Sequence, residues 1–441
     1  MERAIIFGAG LSGLGAKELL EKKGYETYLI DDSKTELKSS DGIELINKGM
    51  IDLIIKSPGI PWEVPLLKAA EGKNIEVISE IDLAYRYVPK DVKIISVTGT
   101  NGKTTTATKI WELLEKSGLN VRLAGNAGFS FAKLVAEEEK FDYVVLELSS
   151  YQLERKPEVN SHIAGIINLT PDHLTRYESL EDYYITKFNI FDRQQDSDFA
   201  LINLDDSEIV RLVEKKEIKA KKIFLSTKQE ADIFVKDGKI YVKNSDGNNI
   251  FLINTTDVSL KGAHNLENVM FISAVGIILQ INPEVIRDFL ENAKPLEHRL
   301  ENFLEKEKVV FVNDSKGTNS ESTIKAIEAF EEPVILICGG YNKQGSNEEL
   351  IRKIVSTVDF VYLMGETADI LEKELQKKGY LKYKNLKTID NILCDIKSNI
   401  NFSKKQIVLF SPATSSFDQF KNFEERGKIF KKLANEIIGE I

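Results

Sequence analysis

The run with the most chemistry in it is Val97-Thr98-Gly99-Thr100-Asn101-Gly102-Lys103-Thr104-Thr105. An apolar, strand-like stretch over residues 92–97 precedes it. A helical period over 105–116 follows, with Ile110, Leu113 and Leu114 on one face. A strand, a glycine loop and a Lys-Thr pair opening a helix make a phosphate cradle. Backbone N–H groups and the helix N-terminus face the anion, the lysine adds a point charge, and the threonine hydroxyl can hold Mg2+. Valine at position 97 departs from the GxxxxGKS/T pattern. The order strand, loop, helix carries the reading, and ATP or GTP is the expected ligand.

A second glycine loop, Gly8-Ala9-Gly10-Leu11-Ser12-Gly13, follows strand-like residues 4–8 and opens a helix near 12–23. Asp31 and Asp32 stand about 20 residues further on, which completes a dinucleotide fingerprint. The same loop equally suits another diphosphate, such as a UDP-sugar, or a tight turn with no ligand.

Other candidates are spread along the chain. Glu147 ends the apolar run 143–148, where a charge must be paired or metal-bound. A Mg2+ carboxylate and a structural ion pair both fit that position. His173, in Asp172-His173, follows strand-like residues 163–169 as a metal ligand or a satisfied loop histidine. Lys187 reads by itself as an ordinary helical lysine. Residues 262–268 open an apolar helix, with Asn265 or a neighbour as its cap. Arg299 follows Pro295 at a boundary, where it could reach a phosphate or brace the junction. Asp314 lies in Asn313-Asp314-Ser315-Lys316-Gly317-Thr318-Asn319, which closes another strand. Ser411-Pro412-Ala413-Thr414-Ser415-Ser416-Phe417-Asp418 ends the last strand and opens a helix, a good anion-binding position.

The elements that must position these groups alternate strand and helix almost throughout, so an α/β fold with mostly parallel sheets is expected. Three α/β domains are expected, over 1–90, 91–295 and 296–441, the second opening with the phosphate loop. Turn signals Asp237-Gly238 and Asp246-Gly247 suggest a small antiparallel hairpin insert in the middle domain. A length of 441 residues accommodates several cores. The net charge of −10 argues against non-specific nucleic-acid binding. Cys338 and Cys394 show no metal-ligand spacing and are expected in core packing. No signal peptide or membrane-spanning run is visible, so a cytoplasmic chain is expected.

Taken together, TGTNGKTT, LELSSYQLE, NLTPDHL, GAHNLEN, EHRLE, NDSKGTN and SPATSSFDQFKNFEERG resemble, in that order, the Mur ligase family. These are ATP-dependent amide-bond synthetases of peptidoglycan assembly. The N- and C-terminal strings are most like members that add D-glutamate to UDP-N-acetylmuramoyl-L-alanine. The resemblance implies an acyl-phosphate mechanism with ATP and two Mg2+ ions. It makes the first domain a Rossmann-like one for the UDP-sugar, the central one a P-loop ATPase and the last a Rossmann-like one for the amino acid, and it gives residues 8–13 to the uridine diphosphate rather than NAD.

It further implies that Gly99, Thr100, Asn101, Gly102, Lys103, Thr104, Thr105, Asn265, Asn268, Arg299 and Asp314 bind ATP. Leu11, Ser12, Asp31, Ser57, Asn126, Gln152 and His173 would bind the UDP-sugar. Lys316, Thr318, Lys343, Ser416 and Phe423 would form the D-glutamate pocket. Thr104, Glu147, His173 and Lys187 would serve metal, with Lys187 carbamylated by CO2 because an ammonium cannot ligate Mg2+. Lys103, His173 and Lys187 would be catalytic. The base that deprotonates the incoming amine stays open between His173, bulk water and substrate phosphate. The chain is expected to act as a monomer on small molecules, without nucleic acid or membrane. Asp32, where threonine is frequent, and Phe417, where leucine is, depart from the family pattern. The rivals are a sister ligase or folylpolyglutamate synthase, an NAD-dependent oxidoreductase, and a nucleotide-hydrolysing switch.

Overall fold

The computed structural model describes residues 1–126, 128–137, 140–171, 176–244, 246–341 and 347–439, with backbone only at His264. The described residues build three sheets, of four, nine and six strands. The chain divides into two compact units. One is Met1–Val258 with Leu266–Asn292, and the other is Ser259–Asn265 with Ala293–Ile441.

The first unit holds two sheets. Strands β1 (Arg3–Phe7), β2 (Glu26–Ile30), β3 (Leu53–Lys56) and β4 (Glu76–Ser79) pair in parallel in the order 2-1-3-4. The nine-stranded sheet contains β5 (Lys93–Thr98), β6 (Val121–Gly125), β7 (Tyr143–Glu147), β8 (Ile163–Ile166), β9 (Phe199–Asn203), β10 (Lys221–Ser226), β11 (Ile233–Lys236), β12 (Lys239–Lys243) and β13 (Asn249–Asn254). Its order is 13-12-11-10-9-8-5-7-6. Strands β5 to β11 are parallel, and β12 and β13 continue the sheet antiparallel. The expected hairpin is thus three strands added to the sheet edge. Asp237 and Gly238 turn between β11 and β12 with φ of 48° and 69°, as a two-residue hairpin turn requires.

One apolar core runs through both of these sheets' helices. Helix Leu11–Lys22 packs on helix Phe131–Ala136, and Gly15 faces Ser130 there so closely that a Cβ would lie 2.2 Å from the Ser130 hydroxyl. The buried Glu80 carboxylate accepts from Ser130 Oγ and the Ala132 N–H, both at 2.7 Å. Burial pushes its pKa up, against those bonds.

The second unit holds β14 (Glu301–Lys306), β15 (Val309–Asn313), β16 (Val334–Gly339), β17 (Val358–Met364), β18 (Tyr383–Lys387) and β19 (Gln406–Phe410), ordered 14-15-19-16-17-18. Only β14 is antiparallel. Alternate residues of the inner strands feed separate apolar clusters on the two faces, so helices cover both sides of the sheet. Cys338 is fully buried in β16, as its apolar surroundings suggest. Cys394, also expected in the core, is exposed. The apolar face of helix Ile389–Asn399 is carried by Ile389, Ile392, Leu393 and Ile396, and position 394 falls outside it. Among the described residues no helix is long and apolar enough to cross a membrane.

Candidate active site

The phosphate loop leaves β5 at Thr98 and enters helix Lys103–Lys116 through Gly102. Gly102 has φ 81°, and a Cβ there would lie 2.4 Å from Asn268 Oδ1, so both conformation and space demand glycine. Asn268 is buried on helix Ala263–Ile278 and accepts from Thr106 Oγ1 at 3.0 Å. The Lys103 ammonium donates to the Gly99 and Thr100 carbonyls, both at 2.8 Å. The Asn101 N–H donates to Asn168 Oδ1 at 2.9 Å, and Thr100 Oγ1 donates to the Thr170 carbonyl at 3.1 Å. Thr105 is buried and Thr104 half-buried at the helix start.

Three buried polar side chains, Glu147, Thr98 and Lys187, accompany this loop. Glu147 ends β7, which pairs with β5, and is fully buried. Its Oε1 accepts from Asn126 Nδ2 at 2.6 Å, while its Oε2 has no hydrogen-bond partner among the described residues. The Thr98 hydroxyl at the end of β5 is likewise buried and has no partner among the described residues. An orphaned carboxylate oxygen in the interior is costly unless an ion or solvent meets it. Hard oxygen donors beside a phosphate cradle fit Mg2+. Lys187, on helix Leu180–Phe188, is buried too. Its Nζ donates to the Gly99 carbonyl at 3.0 Å and lies 4.8 Å from the centre of the Tyr183 ring. The structure therefore brings Lys187 to the phosphate loop, which its sequence surroundings alone did not suggest.

The first glycine loop is built differently. Gly13 sits where a Cβ would be 1.8 Å from the Gly8 carbonyl, which lets the helix press onto the strand. Asp31 Oδ2 accepts from the Ala9 N–H at 2.9 Å, and Oδ1 accepts from the Ser33 and Lys34 N–H groups and the Ser33 hydroxyl. Those bonds, led by Ala9, hold its pKa far below the carboxylate range. Ser57 Oγ donates to the Gly8 carbonyl at 3.2 Å. Leu11 is 80% exposed, and Ser12 is half-buried beside it. Gln152 is buried, its Oε1 accepting from the Ser149 N–H and hydroxyl. Asn126 is exposed, and its Nδ2 donates to Glu147 Oε1. His173 lies outside the described residues.

In the second unit, Asp314 follows β15. Its Oδ2 accepts from Ser411 Oγ at 2.7 Å and Oδ1 from the Leu300 N–H at 3.3 Å. Burial pushes its pKa up to about 7. The Lys316 ammonium lies 3.8 Å from the centre of the Phe423 ring, and Ser416 is buried. Thr318 and Arg299 are half-buried, and Asn265 Nδ2 donates to the Lys261 carbonyl at 2.8 Å. Asn265 lies inside its helix rather than capping it. Lys343 lies outside the described residues.

Sequence reasoning missed Arg426. This buried guanidinium donates to Ser315 Oγ (3.0 Å), the Ser315 carbonyl (2.7 Å) and the Thr414 carbonyl (3.0 Å), tying two polar loops together. Burial lowers its pKa to about 10. The signal was present: Arg426 shares a helical face with Phe423, Gly427 and Phe430.

Residues 97–276 match the Mur ligase middle domain. Over 444 residues and the full length of both chains, the sequence is 43% identical to UDP-N-acetylmuramoylalanine–D-glutamate ligase of Fusobacterium nucleatum. The chain belongs to the UDP-N-acetylmuramoylalanine–D-glutamate ligase family. The ligase of that name from Clostridioides difficile is 34% identical, with 99% of each chain covered. The fold is that of Mur ligases. UDP-N-acetylmuramate-alanine ligase MurC from Thermotoga maritima superposes with TM-score 0.60 at 17% identity over 99% of each chain. The MurF ligase of Thermotoga maritima, solved in complex with ADP, gives 0.61 at 18% identity over 92% of this chain and 95% of that one. Membership in this ligase family leaves a hydride-transfer reading without support.

Proposed function

We propose that this chain joins D-glutamate to the L-alanyl carboxylate of UDP-N-acetylmuramoyl-L-alanine at the expense of ATP, in cytoplasmic peptidoglycan precursor synthesis. A carboxylate resists attack by an amine because its leaving group would be oxide. Transfer of the γ-phosphoryl group gives an acyl phosphate and ADP. The amine of D-glutamate then attacks the carbonyl carbon, and phosphate leaves as the C–O bond breaks. Both steps crowd anions together, so fixed positive charge and hydrogen-bond donors must hold them.

The observation that carries this reading is the pairing of a phosphate loop with a buried carboxylate whose second oxygen lacks a partner among the described residues. Lys103 and the N–H groups of residues 99–105 hold the phosphates. Asn268 fixes the loop through Thr106. Arg299, Asp314 and Asn265 are assigned to ATP by family resemblance. Thr104 and Glu147 would hold one Mg2+, and His173 with Lys187 a second; the ions neutralise phosphate charge when bound.

For Lys187 to serve as an oxygen donor, its amine adds to CO2 and releases a proton, leaving a carbamate. Burial beside the loop supports this, and the carbamate N–H retains a donor for the Gly99 carbonyl. Asp31, Ser57, Leu11, Ser12, Asn126 and Gln152 are assigned to the UDP-sugar. Lys316, Thr318, Lys343, Ser416 and Phe423 are assigned to D-glutamate, whose carboxylates pair with the lysines. Domain boundaries near 90 and 295 and a monomeric state complete the reading.

The test is phosphate release from ATP in the presence of UDP-N-acetylmuramoyl-L-alanine with D-Glu, L-Glu, L-Lys or nothing added. Release that depends on D-Glu, with one amide product by mass, is expected. Release independent of any amino acid would overturn the ligase reading in favour of a nucleotide switch.

A further inference from the structure

The turn that follows β3, Ser57-Pro58-Gly59-Ile60-Pro61-Trp62, is held from two sides. On one side Ser57 bonds to the first glycine loop: its N–H donates to the Phe7 carbonyl at 2.9 Å and its hydroxyl to the Gly8 carbonyl. On the other side the nine-stranded sheet's connections reach over to it. Arg176 Nη2 donates to the Ile60 carbonyl at 3.1 Å. The same guanidinium makes a two-pronged pair with Glu154, Nε to Oε1 at 2.7 Å and Nη2 to Oε2 at 2.9 Å. Both side chains are largely buried, at 15% and 11% exposure. Arg176 also lies 5.2 Å from the centre of the Tyr151 ring.

One step further along the turn, the Trp62 ring is met by Arg155, at 3.9 Å from its centre, and by the Lys56 ammonium at 4.8 Å. Glu154 and Arg155 follow the short turn Ser150–Gln152 with only Leu153 between, and that turn follows Glu147.

We infer that Arg176 is a positioning residue for the UDP-sugar: anchored by Glu154 and helped by the Arg155–Trp62–Lys56 stack, it holds the Ser57–Trp62 turn ready for that substrate. The inference rests on the assignment of Ser57 to the UDP-sugar made above. A turn carrying two prolines and a glycine, tied only through Ser57, would have to be ordered at the moment of binding, and that cost would weaken affinity. Fixing it beforehand removes the cost. A planar guanidinium can bond both carboxylate oxygens and a carbonyl at once, whereas an ammonium cannot reproduce that fork. The effect therefore falls on recognition of one substrate, not on the reaction step.

The experiment varies each substrate in turn for the wild type, Arg176→Lys and Trp62→Leu. The KM for UDP-N-acetylmuramoyl-L-alanine should rise about tenfold in Arg176→Lys, the loss of one charged hydrogen bond, and about threefold in Trp62→Leu. The KM values for ATP and D-glutamate, and kcat, should stay within about twofold. An unchanged KM for the UDP-sugar in Arg176→Lys, or an equal rise in all three KM values, would overturn the inference. If Arg176→Lys does not fold, Glu154→Gln carries the same expectation and the same contrary result. A wild type that turns over without D-glutamate would sink the ligase reading itself. A normal wild type with normal variants would sink only the role of Arg176.

Discussion

The two glycine loops of the first unit look alike in sequence and differ in what surrounds them. At the loop after β1, the nearby carboxylate of Asp31 is saturated by backbone N–H groups and a serine hydroxyl. At the loop after β5, the nearby carboxylate of Glu147 keeps an oxygen without a partner among the described residues, and Lys103 and Lys187 converge on the Gly99 carbonyl. A satisfied carboxylate is a brace: it shapes a surface on which a ligand can lie. An unsatisfied buried one is held there at a cost in stability, and that cost is sustained where chemistry needs the charge. Under the proposed function, the difference between the loops is a difference between binding and reaction.

Substitutions should separate the two loops by size of effect. Lys103→Ala removes the point charge on the phosphates and should lower kcat on the order of 10³-fold, measured by amide formation; near-normal turnover would break the comparison at once. Glu147→Gln keeps the shape and the contact with Asn126 but removes the charge. A loss of about 10²-fold in kcat and a raised Mg2+ requirement are expected. Lys187→Ala should fall by a similar ~10²-fold and recover in part with added short carboxylic acids, which can occupy the space of a carbamate. Full activity without any additive would remove Lys187 from the site.

Asp31→Asn, at the brace, should leave kcat nearly unchanged and raise the KM for the UDP-sugar only about fivefold. Its pH signature is on stability. The Asp31 carboxyl titrates below its ordinary value of 3.8 when folded, so its stabilisation is present above that pH and is lost as pH falls further. The gap in urea midpoint between wild type and Asp31→Asn should accordingly shrink below about pH 4. A gap independent of pH would mean the carboxylate is not what holds the loop.

Strands such as Lys93–Thr98 and Tyr143–Glu147 were legible because parallel strands covered on both faces read as short apolar runs. The strands that escaped are mainly at sheet edges. Glu301–Lys306 and Tyr383–Lys387 flank the six-stranded sheet, Val121–Gly125 ends the nine-stranded one, and each mixes charged or polar residues into the run. An edge strand faces solvent, so its sequence carries less of the pattern.

The same logic divides the site. Both glycine loops were legible because their residues are contiguous and their spacing follows from phosphate geometry. The position of Lys187 was not, since it meets Gly99 across 88 residues of chain, through the pairing of β8 beside β5. The bond from Asn126 to Glu147 was not legible either, since it joins residues 21 positions apart across neighbouring strand ends. Arg426 was overlooked because a charged residue within a helix is read as solvent-facing unless its whole face is traced.

The most direct test of reaction at the second loop is the fate of oxygen. UDP-N-acetylmuramoyl-L-alanine labelled with 18O in its alanyl carboxylate should, on turnover with ATP and D-glutamate, pass one labelled oxygen to the phosphate released. Unlabelled phosphate accompanying normal amide formation would contradict transfer of the phosphoryl group to that carboxylate.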